Sequence, residues 1–283
     1  MKLLIISGRS GSGKTTALQA LEDQGFYCVD NLPLGLLPTL ASQLQEESHH
    51  VDQIAVGIDA RNLPHQLPRF GALLERVRDL GLRCEVIFLD ADPDTLLKRF
   101  SATRRRHPLS DGEMGLAEAI HYEGELLNSI RSHADLNIDT SQLDPHTLRN
   151  LIRERTASND GQLSLLIQSF GFKNGVPGDA DMVYDVRVLP NPHWDPALRP
   201  YTGRDTPVMD FLAAQPEVSE MLGEIGGFLE RWLPRYQEND RNYLTVAIGC
   251  TGGRHRSVYL SERIAEQLRN AGIEARVRHR ELG

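Results

Sequence analysis

Cysteine is scarce in this chain of 283 residues: Cys28, Cys84 and Cys250 stand far apart, in no CxxC or Cys/His ligand spacing. That excludes a disulfide framework, argues against a zinc site and points to a reducing compartment. Long apolar runs are missing too. The opening run Leu3 to Ile6 is too short for a signal-peptide core. No stretch approaches the roughly 20 apolar residues of a membrane helix. A cytoplasmic protein without a membrane segment is therefore expected. Internal repeats and low-complexity tracts are also absent, which excludes a repeat array.

Positive charge is in deficit, with a formal net charge of -8. Spread evenly, that balance would discourage a nucleic-acid partner. It is not spread evenly. Residues 251–283 hold seven arginines (254, 256, 263, 269, 276, 278, 280) against four glutamates (262, 266, 274, 281), an excess of three. A basic end on an acidic chain can bind phosphates.

What the chain does have is the makeup of a soluble globular protein, 40% apolar and 25% charged, with length enough for two cores. Up to about residue 157, short apolar runs alternate with longer amphipathic ones, the βαβ pattern. Strands are expected at Leu3 to Ile6, Phe26 to Val29, Ile54 to Ile58, Val86 to Leu89 and Leu136 to Ile138. Helices are expected at Thr15 to Leu21, Phe70 to Leu80, Thr95 to Ser101 and Leu116 to Ile130. The strands read as continuous apolar runs, as a doubly wound parallel sheet covered on both faces requires. The turn formers Ser158-Asn159-Asp160-Gly161 mark a boundary, giving domains at 1–158 and 159–283. The second, smaller α/β domain reads as strands at Leu163 to Gln168 and Met182 to Val188, a Pro-rich loop, and helices between Val208 and Trp232. It ends with strand Leu244 to Ile248, a loop, helix 257–270 and a last strand from Glu274.

Gly8-Arg9-Ser10-Gly11-Ser12-Gly13-Lys14-Thr15 matches GxxxxGK[ST] between a strand and a helix. The glycines let backbone N–H groups turn toward phosphate oxygens, and the helix N-terminus adds its positive dipole end. Lys14 reaches the β- and γ-phosphates, and Thr15 offers a hydroxyl to Mg2+. Asp90, closing the strand Val86 to Leu89, is the candidate carboxylate for the metal. Lys14, Thr15 and Asp90 are thus the candidate catalytic set of a P-loop NTPase or kinase-like domain. Asp30 and Asp59 also follow strands, and Arg104, Arg105 and Arg106 resemble the arginine-bearing lid of small kinases.

A second loop, GCTGGRHRS at 249–257, again sits between a strand and a helix. Its Cys-x5-Arg-Ser spacing is that of cysteine-dependent phosphatases, in which a thiolate attacks phosphorus and the arginine clamps the oxygens. Such an enzyme also needs a general acid, for which Asp185, Asp195 and Asp205 are candidates. A site that only binds a phosphorylated ligand needs the loop and Arg256, not a reactive Cys250.

Together these pieces resemble the RapZ/YvcJ family of P-loop nucleotide-binding proteins. The resemblance rests on GRSGSGKT, ALEDQGFYCVDNLP, DARN, FLDAD, TRRRHPL, SFGFKNGVP, DVRVLPNPHWDP, LRPYTG and AIGCTGGRHRSVY, and spans essentially the whole chain. It implies binding of ATP and GTP with weak hydrolysis, residues 8–15 matching the ATP loop and Asp59, Ala60, Arg61 and Asn62 the GTP motif. It further implies a C-terminal domain that senses glucosamine-6-phosphate through His193, Thr251, Gly252 and Arg256. A small regulatory RNA, an RNase or signalling protein as partner, an RNase-adapter role and a homotetramer follow from the same resemblance. RNA-adapter members end in a basic tail, whereas this chain ends Arg280-Glu281-Leu282-Gly283, so nucleotide and metabolite binding are the firmer expectations. If Glu274 to Glu281 is a strand, its period of two puts Arg276, Arg278 and Arg280 on one face, a candidate RNA-binding stripe. The rival readings are a small-metabolite kinase and a phosphatase with Cys250 as nucleophile.

Overall fold

The computed structural model describes residues 2–46, 52–61, 66–110, 114–157, 163–239 and 241–282, the side chains of 44–46 excepted. Asn62 of DARN and the turn formers Ser158 to Gly161 lie outside the described residues. The chain divides into two compact units, 1–157 and 158–283.

The first unit carries β1 (Lys2–Gly8), β2 (Tyr27–Val29), β3 (Gln53–Gly57), β4 (Arg83–Asp90) and β5 (Leu136–Asp139). All pair in parallel, in the order β2-β3-β1-β4-β5. The central strand β1 is buried along its whole length, which is why its sequence is apolar without alternation. Its helices are α1 (Lys14–Glu22), α2 (Leu37–Glu46), α3 (Phe70–Arg78), α4 (Pro93–Thr103), α5 (Leu116–Leu126), α6 (Asn128–Arg131) and α7 (Pro145–Thr156). Proline at the first position of α4 and α7 fits a helix start, because no N–H is needed there. Asp144 caps α7, its Oδ1 accepting from the backbone N–H groups of His146 (2.8 Å) and Thr147 (2.9 Å).

The single helix expected over 116–130 is two, broken at Leu127. Leu127 and Ile130 are fully buried in the cluster that also holds Phe70 and Leu74 of α3, and the break turns both inward.

The second unit is built on β6 (Ser164–Gly171), β7 (Met182–Asp185), β8 (Tyr243–Cys250) and β9 (Ala275–His279), again all parallel, in the order β7-β8-β6-β9. Its helices are α8 (Thr206–Ala213), α9 (Pro216–Glu238) and α10 (Arg256–Asn270). Leu260, Ile264 and Leu268 form the inward stripe of α10, one helical turn apart and all buried. Each contributes about 2 kcal/mol of burial. They pack in one cluster with Leu165, Ile167, Val246 and Ile248 of the sheet and Ile225, Leu229 and Leu233 of α9. Strand β7 stops at Asp185 rather than Val188. There the Asp185 carboxylate accepts from the Arg187 backbone N–H (2.9 Å), which turns the chain out of the sheet and leaves Val188 80% exposed.

Candidate functional site

The N-terminal loop runs from the end of β1 into α1, and its turn depends on glycine at both ends. Gly8 (φ 145) and Gly13 (φ 105) lie in the left-handed half of conformational space. A Cβ on Gly8 would run into the Leu89 carbonyl oxygen, and one on Gly13 would lie 2.5 Å from Leu148 Cδ2. Lys14 Nζ donates to the carbonyls of Gly8 (2.7 Å) and Arg9 (3.4 Å), while the buried Ser12 hydroxyl has no partner. An unpaired buried hydroxyl in a glycine-rich loop at a helix N-terminus suits an anion. Thr15, one residue into α1, is exposed.

Side chains from distant segments brace this loop. Glu123 of α5, fully buried, accepts from Ser10 N–H (2.8 Å) and Ser10 Oγ (2.7 Å), and its Oε2 lies 3.1 Å from His107 Nε2. His107 Nδ1 accepts from the Leu109 N–H (3.2 Å), so the neutral ring carries its proton on Nε2 and donates it to Glu123. Arg99 of α4 donates to Gly11 O and Thr140 Oγ1 (3.0 Å each), and Thr140 in turn donates to Ser12 O (2.9 Å). Beside the loop lies a cavity of about 450 Å³ between Gly11–Gly13, Thr16, Phe100, Thr103, Arg105 and the Thr140 to Leu148 segment.

Of the expected acidic groups, Asp90 lies in ion pairs with Arg9 (2.6 Å) and Arg131 (3.3 Å). Asp59 is paired with Arg61 instead, and its charge bears on Lys14. The Ile58 N–H donates to Ile6 O (2.9 Å), which sets Asp59 opposite the last residues of β1. Burial pushes the Lys14 ammonium below its usual pKa, opposed by the charges of Glu123, Asp59 and Asp30. Burial also pushes Asp59 up, but hydrogen bonds from Arg61 and the charge of Lys14 outweigh it and hold the carboxylate low. Asp30 is exposed at the end of β2, its Oδ1 taking the Asn31 N–H (2.8 Å). Arg104, Arg105 and Arg106 are exposed, Arg104 closing α4 in the left-handed conformation (φ 52).

The C-terminal loop links β8 to α10. Cys250 is 3% exposed; its Sγ lies 3.2 Å from Ser257 Oγ and accepts the Gly253 N–H (3.3 Å). Burial drives this thiol up, yet those hydrogen bonds and the Arg256 charge bring it below the ordinary cysteine value. Burial pushes Cys28 up to about 11, and Cys84 to about 12 against the charge of Arg78. Arg256, 4% exposed, donates through Nη1 to the carbonyls of Arg187 (2.7 Å) and Leu189 (2.8 Å) and through Nη2 to Thr251 Oγ1 (3.4 Å); its Nε has no partner. His193 is exposed with its ring 6.0 Å from that of His255, the residue before Arg256. His193, Thr251, Gly252 and Arg256 are thus gathered around one loop.

Residues 1–160 match the RapZ-like N-terminal domain and residues 163–283 the RapZ C-terminal domain. The chain belongs to the RapZ-like family. Among its relatives, a "nucleotide-binding protein" of Alcanivorax borkumensis is 62% identical over 282 residues, covering all of both chains. A "nucleotide-binding protein in ptsN-ptsO intergenic region" of Stutzerimonas stutzeri is 56% identical over 285 residues, again end to end. Similar solved structures include a shikimate kinase from Bacteroides thetaiotaomicron, at 15% identity and TM-score 0.37 over 54% of this chain and 94% of that one. Another is the Deinococcus radiodurans tunicamycin resistance protein, at 15% identity and TM-score 0.39 over 56% of this chain and 98% of that one.

In this RapZ-like chain the two units share a device that motif reading missed. Arg61 folds onto Asp59 through Nε (2.9 Å to Oδ2) and Nη2 (2.6 Å to Oδ2), and its backbone N–H takes Oδ1 (2.9 Å). Arg187 does the same to Asp185, with Nε at 3.0 Å and Nη2 at 2.6 Å from Oδ2 and the N–H at 2.9 Å from Oδ1. Each Asp-x-Arg closes the strand next to the one that feeds a phosphate loop. The recurrence of DAR and DVR just after a strand was the available signal. Glu123 and His107 had none, being joined to the loop only by the fold.

Each candidate general acid is taken up in local hydrogen bonds. Asp185 is held ionised by the Arg187 hydrogen bonds, and Asp205 by the Thr202 N–H and hydroxyl. Asp195 Oδ1 accepts the Ala197 N–H (2.8 Å). Among the described residues, no group of three or more His, Cys, Asp or Glu side chains is arranged to hold a metal, and no helix is long and apolar enough to cross a membrane.

Proposed function

We propose that this RapZ-like chain is a nucleotide-binding regulator. Its first unit takes ATP or GTP with Mg2+ and hydrolyses it slowly; its second senses an aminosugar phosphate, glucosamine-6-phosphate. The observation that carries this reading is the N-terminal loop: a glycine-bounded turn between strand and helix, with a buried, unpartnered Ser12 hydroxyl and with Lys14 Nζ on the carbonyls of Gly8 and Arg9. The printed names of the full-length relatives support it. The cavity beside Phe100, Leu143 and Leu148 has the size and apolar walls that a nucleoside needs. Hard oxygen donors suit magnesium: the Thr15 hydroxyl, the carboxylates of Asp59 and Asp30, and Asp90 once Arg9 lets go. When bound, the ion would neutralise charge on the phosphates. Slow turnover fits the pairing of Arg9 with Asp90 and of Arg61 with Asp59, which engages both guanidiniums with carboxylates.

The charge of Asp59 bears on Lys14, and the cavity adjoins Gly11–Gly13 of the same loop. On this reading the ATP loop and the GTP motif serve one site. Titration should find one nucleotide per chain, with GTP displacing a labelled ATP analogue completely; two independent sites would overturn the reading. The exposed carboxylate of Asp30 favours a metabolite kinase as the second reading. Transfer of phosphate to an added sugar or alcohol rather than to water would select it.

RNA binding is the remaining part. Ala275 and Val277 of β9 pack with the core cluster, so Arg276 and Arg278 lie on the other face, both half-buried and Arg276 Nη1 enclosed; Arg280 follows the strand and donates to Gly175 O (3.0 Å). Changing the three arginines to alanine should flatten the salt dependence of RNA binding by about 2 units of log-log slope, taking about 0.7 per phosphate contact on single strands. Filter binding across a salt series checks this, and an unaltered slope would remove the stripe from the reading.

A further inference from the structure

The three cysteines sit in different settings, and one of them favours the charged form of sulfur. The Cys28 thiol donates to the Leu18 carbonyl (3.4 Å), a bond that keeps its proton in place. Cys84 is buried, which pushes it up to about 12. Cys250 receives instead of giving: the Gly253 N–H donates to its Sγ (3.3 Å), and the hydroxyl of the fully buried Ser257 lies 3.2 Å away. A sulfur held by an N–H and a hydroxyl beside a guanidinium has the surroundings of a thiolate.

The same surroundings suit an added oxygen. Arg256, 4% exposed, brings its guanidinium within hydrogen-bonding reach of Cys250, and its Nε has no partner among the described residues. A buried cationic donor left without a partner points to an anion that the loop is built to take. Gly252 opens the loop to the outside: a Cβ there would meet nothing within 4 Å, and Thr251 before it is exposed. Hydrogen peroxide is little larger than water, which suits a sulfur that is 3% exposed.

We propose that Cys250 is an oxidation site, at which a hydroperoxide turns the thiolate into a sulfenate that fills the anion cradle of the loop and shuts out a phosphorylated ligand. The thiolate sulfur attacks one peroxide oxygen; the S–O bond forms as the O–O bond breaks, and the leaving hydroxide takes a proton to become water. The sulfur loses two electrons and the peroxide gains them. The new oxygen, negative like a phosphate oxygen, meets the free N–H of Arg256. Cys28 and Cys84 both belong to the first unit, so no second thiol of the same unit takes the sulfenate on to a disulfide. An added dithiol reverses the step, returning the thiol and releasing water as the dithiol becomes a disulfide. The exclusion of a ligand rests on the reading of this loop as a phosphate site; the oxidation of the sulfur does not.

Treatment of the full chain with hydrogen peroxide in the presence of dimedone, followed by peptide mass mapping, tests the proposal. Cys250 should take the label at least about ten times faster than Cys28 or Cys84, whose thiolates are scarce at neutral pH. In guanidinium chloride the three should react alike. Ser257→Ala removes one hydroxyl from the sulfur and should slow labelling of Cys250 about threefold or more in a chain that a melting curve shows to be folded. Saturating inorganic phosphate should slow it by at least about threefold against sodium chloride of equal ionic strength, because the oxyanion occupies the same cradle. Equal labelling of the three cysteines in the folded chain, no label on Cys250, or phosphate without effect would each overturn the proposal. If phosphate protects Cys250 while glucosamine-6-phosphate does not bind, the aminosugar reading falls and the oxidation site stands.

Discussion

Replacing Lys14 with alanine should lower affinity for ATP and GTP alike by at least about 100-fold and bring hydrolysis to the level of a blank. A hydrogen bond to a charged group contributes about 1.5–3 kcal/mol, and this ammonium would make one to each of two phosphates. It also neutralises the charge that grows on the transferring group, an effect confined to turnover. The fold should survive the change. Among the described residues Lys14 Nζ hydrogen-bonds only to the carbonyls of Gly8 and Arg9, and the loop stays braced by Glu123, Arg99 and Thr140. Calorimetric titration with each nucleotide, with and without Mg2+, reads the result beside a melting curve. Undiminished turnover in the purified variant would remove the phosphate loop from the proposed function.

Why the lysine was legible and its surroundings were not follows from how each is encoded. GxxxxGK[ST] is a contiguous pattern, and the apolar runs around it carry the signature of strands buried on both faces. The C-terminal loop was equally visible, since Cys250 and Arg256 are six residues apart. Glu123 reaches Ser10 across 113 positions, and the Arg9–Asp90 pair spans 81. No periodicity announces such contacts; they exist only once α5 and β4 have been placed beside β1. Strand order had the same effect on the acidic groups. Asp30, Asp59 and Asp90 each follow a strand and looked equivalent along the chain, but β3 and β4 flank β1 on opposite sides. The fold leaves Asp59 close enough to raise the Lys14 pKa and gives Asp90 to Arg9. The break at Leu127 was hidden for another reason: the helical period continues through it, and only burial of Leu127 and Ile130 decides the bend.

The sharpest test of the second loop pairs Arg256→Ala with Cys250→Ser. Arg256 is buried and forked over the loop, with Nη2 on Thr251 Oγ1 and Nε unpartnered. Losing it should weaken glucosamine-6-phosphate binding by about 1.5–3 kcal/mol, roughly 10- to 150-fold. The same variant strips the Arg187 and Leu189 carbonyls of their donor, so a loss of about 1–3 kcal/mol in stability should accompany it. Affinity must therefore be measured well below the variant's melting temperature, where the two losses separate. Cys250→Ser changes little by comparison: a serine hydroxyl can take the Gly253 N–H and the Ser257 contact in place of the sulfur, so affinity should stay near wild type. The two readings of the loop part here. A sensor needs the guanidinium and tolerates the serine, whereas a phosphatase needs the thiolate that Ser257, Gly253 and Arg256 favour. If the wild type releases phosphate from a sugar phosphate and Cys250→Ser abolishes that release while binding persists, the loop is an enzyme's. If neither protein releases phosphate and only Arg256→Ala loses the ligand, the loop is a receptor's.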